Sequence, residues 1–73
     1  MLVLAQATRD LEVAIETRNR DVFYQRLDEF RDKFPGKDGY DTLSGMYEEY
    51  YLIGWARDGI RDALVTYRLR KGA

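Results

Sequence analysis

The sequence predicts an all-α fold, a small three-helix bundle, on three observations. Apolar residues recur at every third or fourth position along most of the chain, the period of one helix face. Asn and Asp residues, whose side-chain oxygens accept from the free amides of a helix start, stand where that pattern restarts. One proline, Pro35, makes the single unambiguous break.

The first helix is expected over about residues 2–18, where Leu4, Ala7, Leu11, Ala14 and Ile15 share a face. "TRNRD" interrupts it, and Asn19 or Asp21 is suited to cap a second helix over about 20–34. There Phe23, Leu27, Phe30 and Phe34 form the apolar stripe, with Glu29 and Lys33 placed to pair on the wet side. In "FPGKDGYD", Pro35 cannot continue a helix and pushes Phe34 out of the helical region, so residues 35–41 read as a Pro-Gly loop.

Asp41 or Thr42 then looks like the cap of a third helix over about 42–70. Leu43, Met46, Tyr50, Ile53, Arg57, Ile60, Leu64 and Tyr67 keep the spacing to its end, and only Arg57 is out of character. One rod of this kind would be about 42 Å long, against a radius of gyration near 11 Å for a chain of this size, so it outruns its own globule. Either Gly54 or Gly59 bends or breaks it, or it projects onto a second copy. Gly45, Leu52, Ala56, Gly59 and Ala63 form a ridge along which a neighbouring helix could approach closely.

With 73 residues there is room for one domain, and a chain this short buries only about 60% of the surface its unfolded form exposes. Small scaffolds of this kind often need disulfides, a metal or association to be stable. Cysteine and histidine are both absent, which excludes disulfides and ordinary zinc sites and leaves association. No cofactor is expected. Twelve basic against thirteen acidic residues give a formal net charge of −1, which argues against general nucleic-acid affinity. "MLVLAQA" is too short and uncharged for a secretory leader, no stretch is apolar enough to span a membrane, and the lack of Cys suits a reducing cytoplasm.

Catalysis is not expected. Glu12 with Glu16 and Asp58 with Asp62 share helix faces, and Glu48 adjoins Glu49, yet these read as solvated flanks beside Arg20 and Arg61. Ser44 and the threonines lack a histidine or cysteine partner to activate or replace them. "GKDG" lacks the spacing and the hydroxyl residue of a phosphate-binding loop, and no small-molecule substrate is indicated. Arg68, Arg70 and Lys71 form a basic tail, read first as cations at a helix C-terminus and second as a nucleic-acid contact. A helix-turn-helix is disfavoured because the supposed recognition helix opens with the acidic run "DTLSGMYEEYY".

The last helix carries Tyr47, Tyr50, Tyr51, Leu52, Ile53, Trp55 and Ala56 around most of its circumference, more than one inward face accommodates. Tyr47, Tyr51 and Trp55, four residues apart, are therefore expected at a protein interface together with Arg57, the composition of a binding hot spot. The expected function is that of a non-catalytic cytoplasmic regulator docking on a larger protein, an accessory or phage-type modulator of host machinery such as transcription. The alternatives are a structural homo-oligomer and a nucleic-acid accessory protein acting through the basic tail.

Overall fold

The computed structural model describes residues 3–72, with side chains described to Arg70. It is all-helical, as expected, but has four helices: α1 (Val3–Glu16), α2 (Arg20–Lys33), α3 (Lys37–Glu49) and α4 (Gly54–Gly72). α1 packs on α2, α2 on α4, and α4 on α3, so two helical hairpins meet through α2 and α4. The radius of gyration is 11.3 Å and the principal extents are 35 × 28 × 19 Å.

The core collects Leu11 and Ile15 from α1, Phe23, Leu27 and Phe30 from α2, Leu43 and Met46 from α3, and Ala56, Ile60, Ala63, Leu64 and Tyr67 from α4. Among the described residues no charged side chain is buried with them, and the one phenol in the core, Tyr67, has its hydroxyl hydrogen-bonded, so the fold rests on apolar burial. The stripes expected for the first two helices are thus the ones that face inward.

α1 ends in a Schellman closure, in which Asn19 N–H donates to the Ala14 carbonyl at 2.9 Å and Arg18 N–H to the Ile15 carbonyl at 3.0 Å. The left-handed position in this closure is Arg18, at φ 59°, where glycine is the usual residue because a Cβ is unfavourable there. Arg18 offsets part of the cost by donating from Nη1 to the Ile15 carbonyl at 2.9 Å. Arg18→Gly is therefore expected to stabilise the chain by about 0.5 kcal/mol, relief of the left-handed strain outweighing the lost bond and the looser unfolded chain. Thermal denaturation checks it, and a lower melting temperature would show that the side-chain bond dominates. Asn19 caps α2, its side chain accepting from Val22 N–H at 3.3 Å.

The Pro-Gly loop is shorter than expected. Phe34 closes α2 by donating its N–H to the Phe30 carbonyl at 2.9 Å, and α3 begins at Lys37, ahead of the predicted caps Asp41 and Thr42. Gly39 lies in the first turn of α3 for a packing reason. Tyr67 of α4 crosses there and donates its hydroxyl to the Phe34 carbonyl at 2.6 Å, leaving no room for a side chain at position 39. Lys37 and Asp41 pair across that first turn. The expected Glu29–Lys33 pair is not the one formed; Glu29 turns back to Arg26 at 3.2 Å.

The single long helix is also corrected, because it breaks at residues 50–53. Tyr50 caps α3 at φ −109°, ψ 24°, Ile53 N–H returns to the Tyr50 carbonyl at 3.0 Å, and Arg57 N–H to the Ile53 carbonyl at 2.9 Å starts α4. A rod of about 42 Å would exceed the longest extent of the molecule, 35 Å. Folding back instead lets Leu43 and Met46 join Ile60, Leu64 and Tyr67 in one core. The residues at the break, two tyrosines and Ile53 before Gly54, are modest helix formers.

The ridge of small residues is realised only in α4. Ala56 and Ala63 are buried, and at Gly59 a Cβ would stand 3.0 Å from Phe23 Cε2 and 3.2 Å from Tyr24 Cε1, so α2 and α4 approach closely here. Gly45 faces open space and Leu52 leaves the helix altogether.

Candidate functional site

The turn between α3 and α4 presents the most prominent apolar surface. Leu52 is 94% exposed, more than any other large apolar side chain among the described residues, and its neighbour Tyr51 is 49% exposed. Tyr51 is nevertheless held in place. Its ring meets Tyr47 edge-to-face at 5.6 Å between centroids, and the Arg57 guanidinium lies over it at 5.2 Å. Arg57 also donates from Nη1 to the Tyr51 carbonyl at 3.2 Å and from Nε to Asp58 at 3.2 Å, using one side chain to fasten the turn to α4. A leucine and a tyrosine are thus displayed on a fastened turn. Burying such a leucine against a partner releases about 1.5–3 kcal/mol, and little ordering entropy opposes it where the turn is already fixed.

Of the four residues expected at an interface, Tyr47, Tyr51 and Arg57 come together. Trp55 goes elsewhere. It is half-buried with its ring edge-to-face on Phe23 at 5.4 Å and the Arg20 guanidinium 5.4 Å from its centroid, which ties it to α2. Tyr50 and Ile53 are likewise half-buried against the core. The rings that encircle the predicted long helix are thus largely accommodated once that helix is folded in two, leaving Tyr51 the exposed ring, beside the exposed Leu52.

The basic tail is engaged internally. Arg68 donates from Nε to the Tyr40 hydroxyl at 3.2 Å. Arg70 reaches the Arg31 carbonyl at 3.4 Å and Asp32 at 3.8 Å, placing a cation on the carbonyl end of α2 where the helix dipole favours it. The Lys71 side chain lies outside the described residues.

The acidic pairs meet other groups rather than each other. Glu12 approaches Arg9 at 3.5 Å, Asp58 approaches Arg57 and Arg61, and Glu16 accepts from the Tyr50 hydroxyl at 3.4 Å. Burial, then the nearby charges of Glu49, Glu12 and Glu16, push the Tyr50 phenol up to about 12. Burial also raises Tyr67, against the lowering influence of Arg70 and Arg31.

Both phenols thus hold their protons to higher pH folded than unfolded, where the ordinary value is 10.0. As pH rises past that value the unfolded chain loses protons first, so stability is complete below pH 10.0 and falls as pH approaches about 12. Thermal melts across this window are expected to show a declining midpoint, and Tyr50→Phe a shallower decline. An unchanged slope in that variant would remove Tyr50 as the cause.

Sequence reasoning missed Leu52, assigning it to a helix ridge; the signal available was its position in "YYLIG", where two tyrosines and an isoleucine, modest helix formers, surround it and a glycine follows. No described helix is long and apolar enough to cross a membrane. Comparison with protein-family models, curated proteins and solved structures finds no match to this chain.

Proposed function

We propose that this chain is a non-catalytic binding protein that docks on a larger protein through the α3–α4 turn. In this reading Leu52 and Tyr51 enter the partner, while Tyr47 and Arg57 hold Tyr51 in a fixed pose. The observation that carries it is the 94% exposure of Leu52 on a turn fastened by the Arg57 guanidinium. Folding gains nothing from displaying a leucine there, burying it against a partner removes its apolar surface from water, and tyrosine is among the side chains that dominate binding where a partner covers them. The small size, balanced charge and lack of His and Cys support an accessory regulatory role over a catalytic one.

Leu52→Asp tests the reading, because no core contact depends on this side chain. The variant is expected to unfold within about 0.5 kcal/mol of the native chain. Used as bait, it should lose a partner that the native chain and a Gln25→Ala control both retain. A variant that keeps the same partner places the contact elsewhere. A native chain that dimerises through Leu52, measured by light scattering, replaces the foreign partner with a second copy.

A further inference from the structure

We propose that two copies of this chain exchange α4 through straightened α3–α4 turns and so form an intertwined dimer. Nothing in this depends on the docking role of Leu52. A turn can pass into helix only where no residue is committed to another conformation. Between α1 and α2, Arg18 is left-handed at φ 59°. Between α2 and α3, Pro35 breaks a helix by its ring and its missing N–H. Residues 50–53 carry neither obstacle, since Arg18 is the only positive-φ residue among those described and Tyr50, at φ −109°, ψ 24°, lies beside the helical region. The turn is also short of backbone bonds. The amides of Tyr51 and Ile53 reach only the carbonyls three residues back, at 3.4 and 3.0 Å, and those of Leu52, Gly54, Trp55 and Ala56 donate to no backbone carbonyl among the described residues. Straightening would give all the amides of residues 51–56 helical partners in the carbonyls of residues 47–52, at the loss of Arg57 Nη1 on the Tyr51 carbonyl.

A straight helix delivers α4 to a second copy only if its core face points the same way as that of α3. It does, because Leu43, Met46, Tyr50, Ile53, Arg57, Ile60, Leu64 and Tyr67 keep the three-and-four spacing through the turn. A helix from Lys37 to Gly72 would be about 54 Å long, beyond the 35 Å extent of one chain, so its α4 half would leave its own hairpin and need cover from outside. Only a second copy has the complementary surface. Ile60, Leu64 and Tyr67 would meet the copy's Phe23 and Leu43 in the same core, and Tyr67 would cross the copy's Gly39 and donate to its Phe34 carbonyl as it does within one chain. Exchange that repeats existing contacts is a low-cost route to a dimer. Gly54 opposes it. This residue stands at the first position of α4 but in mid-helix once the turn is straight, where glycine is unfavourable.

The test is size-exclusion chromatography with light scattering on the full chain refolded from urea at millimolar concentration, where α4 is free to choose its partner, followed by pulsed electron paramagnetic resonance on the dimer peak. The chain has no cysteine, so Asp41→Cys/Leu69→Cys carries the only two spin labels, both at exposed positions. Folded back, the labels lie close, because the neighbouring Tyr40 and Arg68 touch; along a straight helix they stand about 42 Å apart. Labelled chains diluted into unlabelled ones are expected to read the short distance in the monomer and the long one in the dimer. Gly54→Ala, whose Cβ makes only ordinary contact with Arg57, is expected to raise the dimerisation constant about tenfold. Leu52→Pro bars helix through the turn and removes an amide that has no backbone acceptor, so it is expected to abolish the dimer. Should that variant lose its helical circular dichroism, three glycines inserted after Leu52 supply the same comparison. Leu52→Ala is expected to keep the dimer. Absence of a native dimer, a short distance within the dimer, or a dimer that survives in a folded turn-blocked variant overturns the proposal. Loss of the dimer in Leu52→Ala makes it a surface contact and also overturns it. Absence of a dimer leaves the docking reading standing.

Discussion

Phe23→Ala is expected to cost about 3–5 kcal/mol, the usual result of emptying a fully enclosed phenylalanine site. Phe23 is 0% exposed and sits where α2 meets α4, its ring edge-to-face on Trp55 at 5.4 Å and near Tyr24 at 5.5 Å. Gly59 faces it across the interface. At 0.05–0.15 kcal/mol per residue a chain of this length has a total stability of about 4–11 kcal/mol, so one substitution removes about a quarter of it or more. Equilibrium urea denaturation measures the loss, with Trp55, the only tryptophan, as the probe. The native emission of Trp55 should shift to the red when its Phe23 neighbour is gone. A cost below about 1 kcal/mol would mean that the two hairpins are not joined through this site.

Gly39→Ala and Gly45→Ala lie in the same helix and are expected to move stability in opposite directions. A Cβ at 39 would fall on the Phe34 carbonyl oxygen and stand 2.5 Å from the Tyr67 hydroxyl, so the Tyr67–Phe34 bond at 2.6 Å must break or α3 must move away from α4. Overpacking of this kind costs about 1–3 kcal/mol, and an orphaned buried hydroxyl or carbonyl about 1–3 more. The helix-propensity gain of alanine, up to about 1 kcal/mol, recovers only part. The net expectation is a loss of about 2–3 kcal/mol. At Gly45 a Cβ meets nothing within 4 Å, and only the propensity gain remains, about 0.5–1 kcal/mol of stabilisation. Chemical denaturation of both variants is the check. If Gly39→Ala proved neutral, the Tyr67 clasp would not be what fixes the start of α3.

Much of this fold was legible in the sequence because the apolar stripes of α1 and α2 have one side each. Leu11, Ile15, Phe23, Leu27 and Phe30 are buried as their spacing predicts, and Asn19 caps as its chemistry predicts. Two boundaries were not legible. Gly39 reads as a loop residue until Tyr67, distant in sequence, is seen crossing it. The stripe from Leu43 to Tyr67 keeps one helical period, yet it folds back on itself between Tyr50 and Gly54. Periodicity does not show this fold because the three- and four-residue spacing runs on through Tyr50, Ile53 and Arg57, across the turn itself. The same break decides the candidate site. It leaves Tyr47, Tyr51 and Arg57 together, sends Trp55 to Phe23, and exposes Leu52, which the long-helix reading had placed among small packing residues.

The measurement that bears most directly on the docking role is photo-crosslinking in the source cell with a benzophenone amino acid in place of Leu52, compared with the same probe at Gln25 on the exposed side of α2. A discrete heavier adduct to one other protein, formed from position 52 and absent from position 25, is the result predicted. Adducts of the chain with itself alone, identical adducts from both positions, or none from position 52 would contradict it.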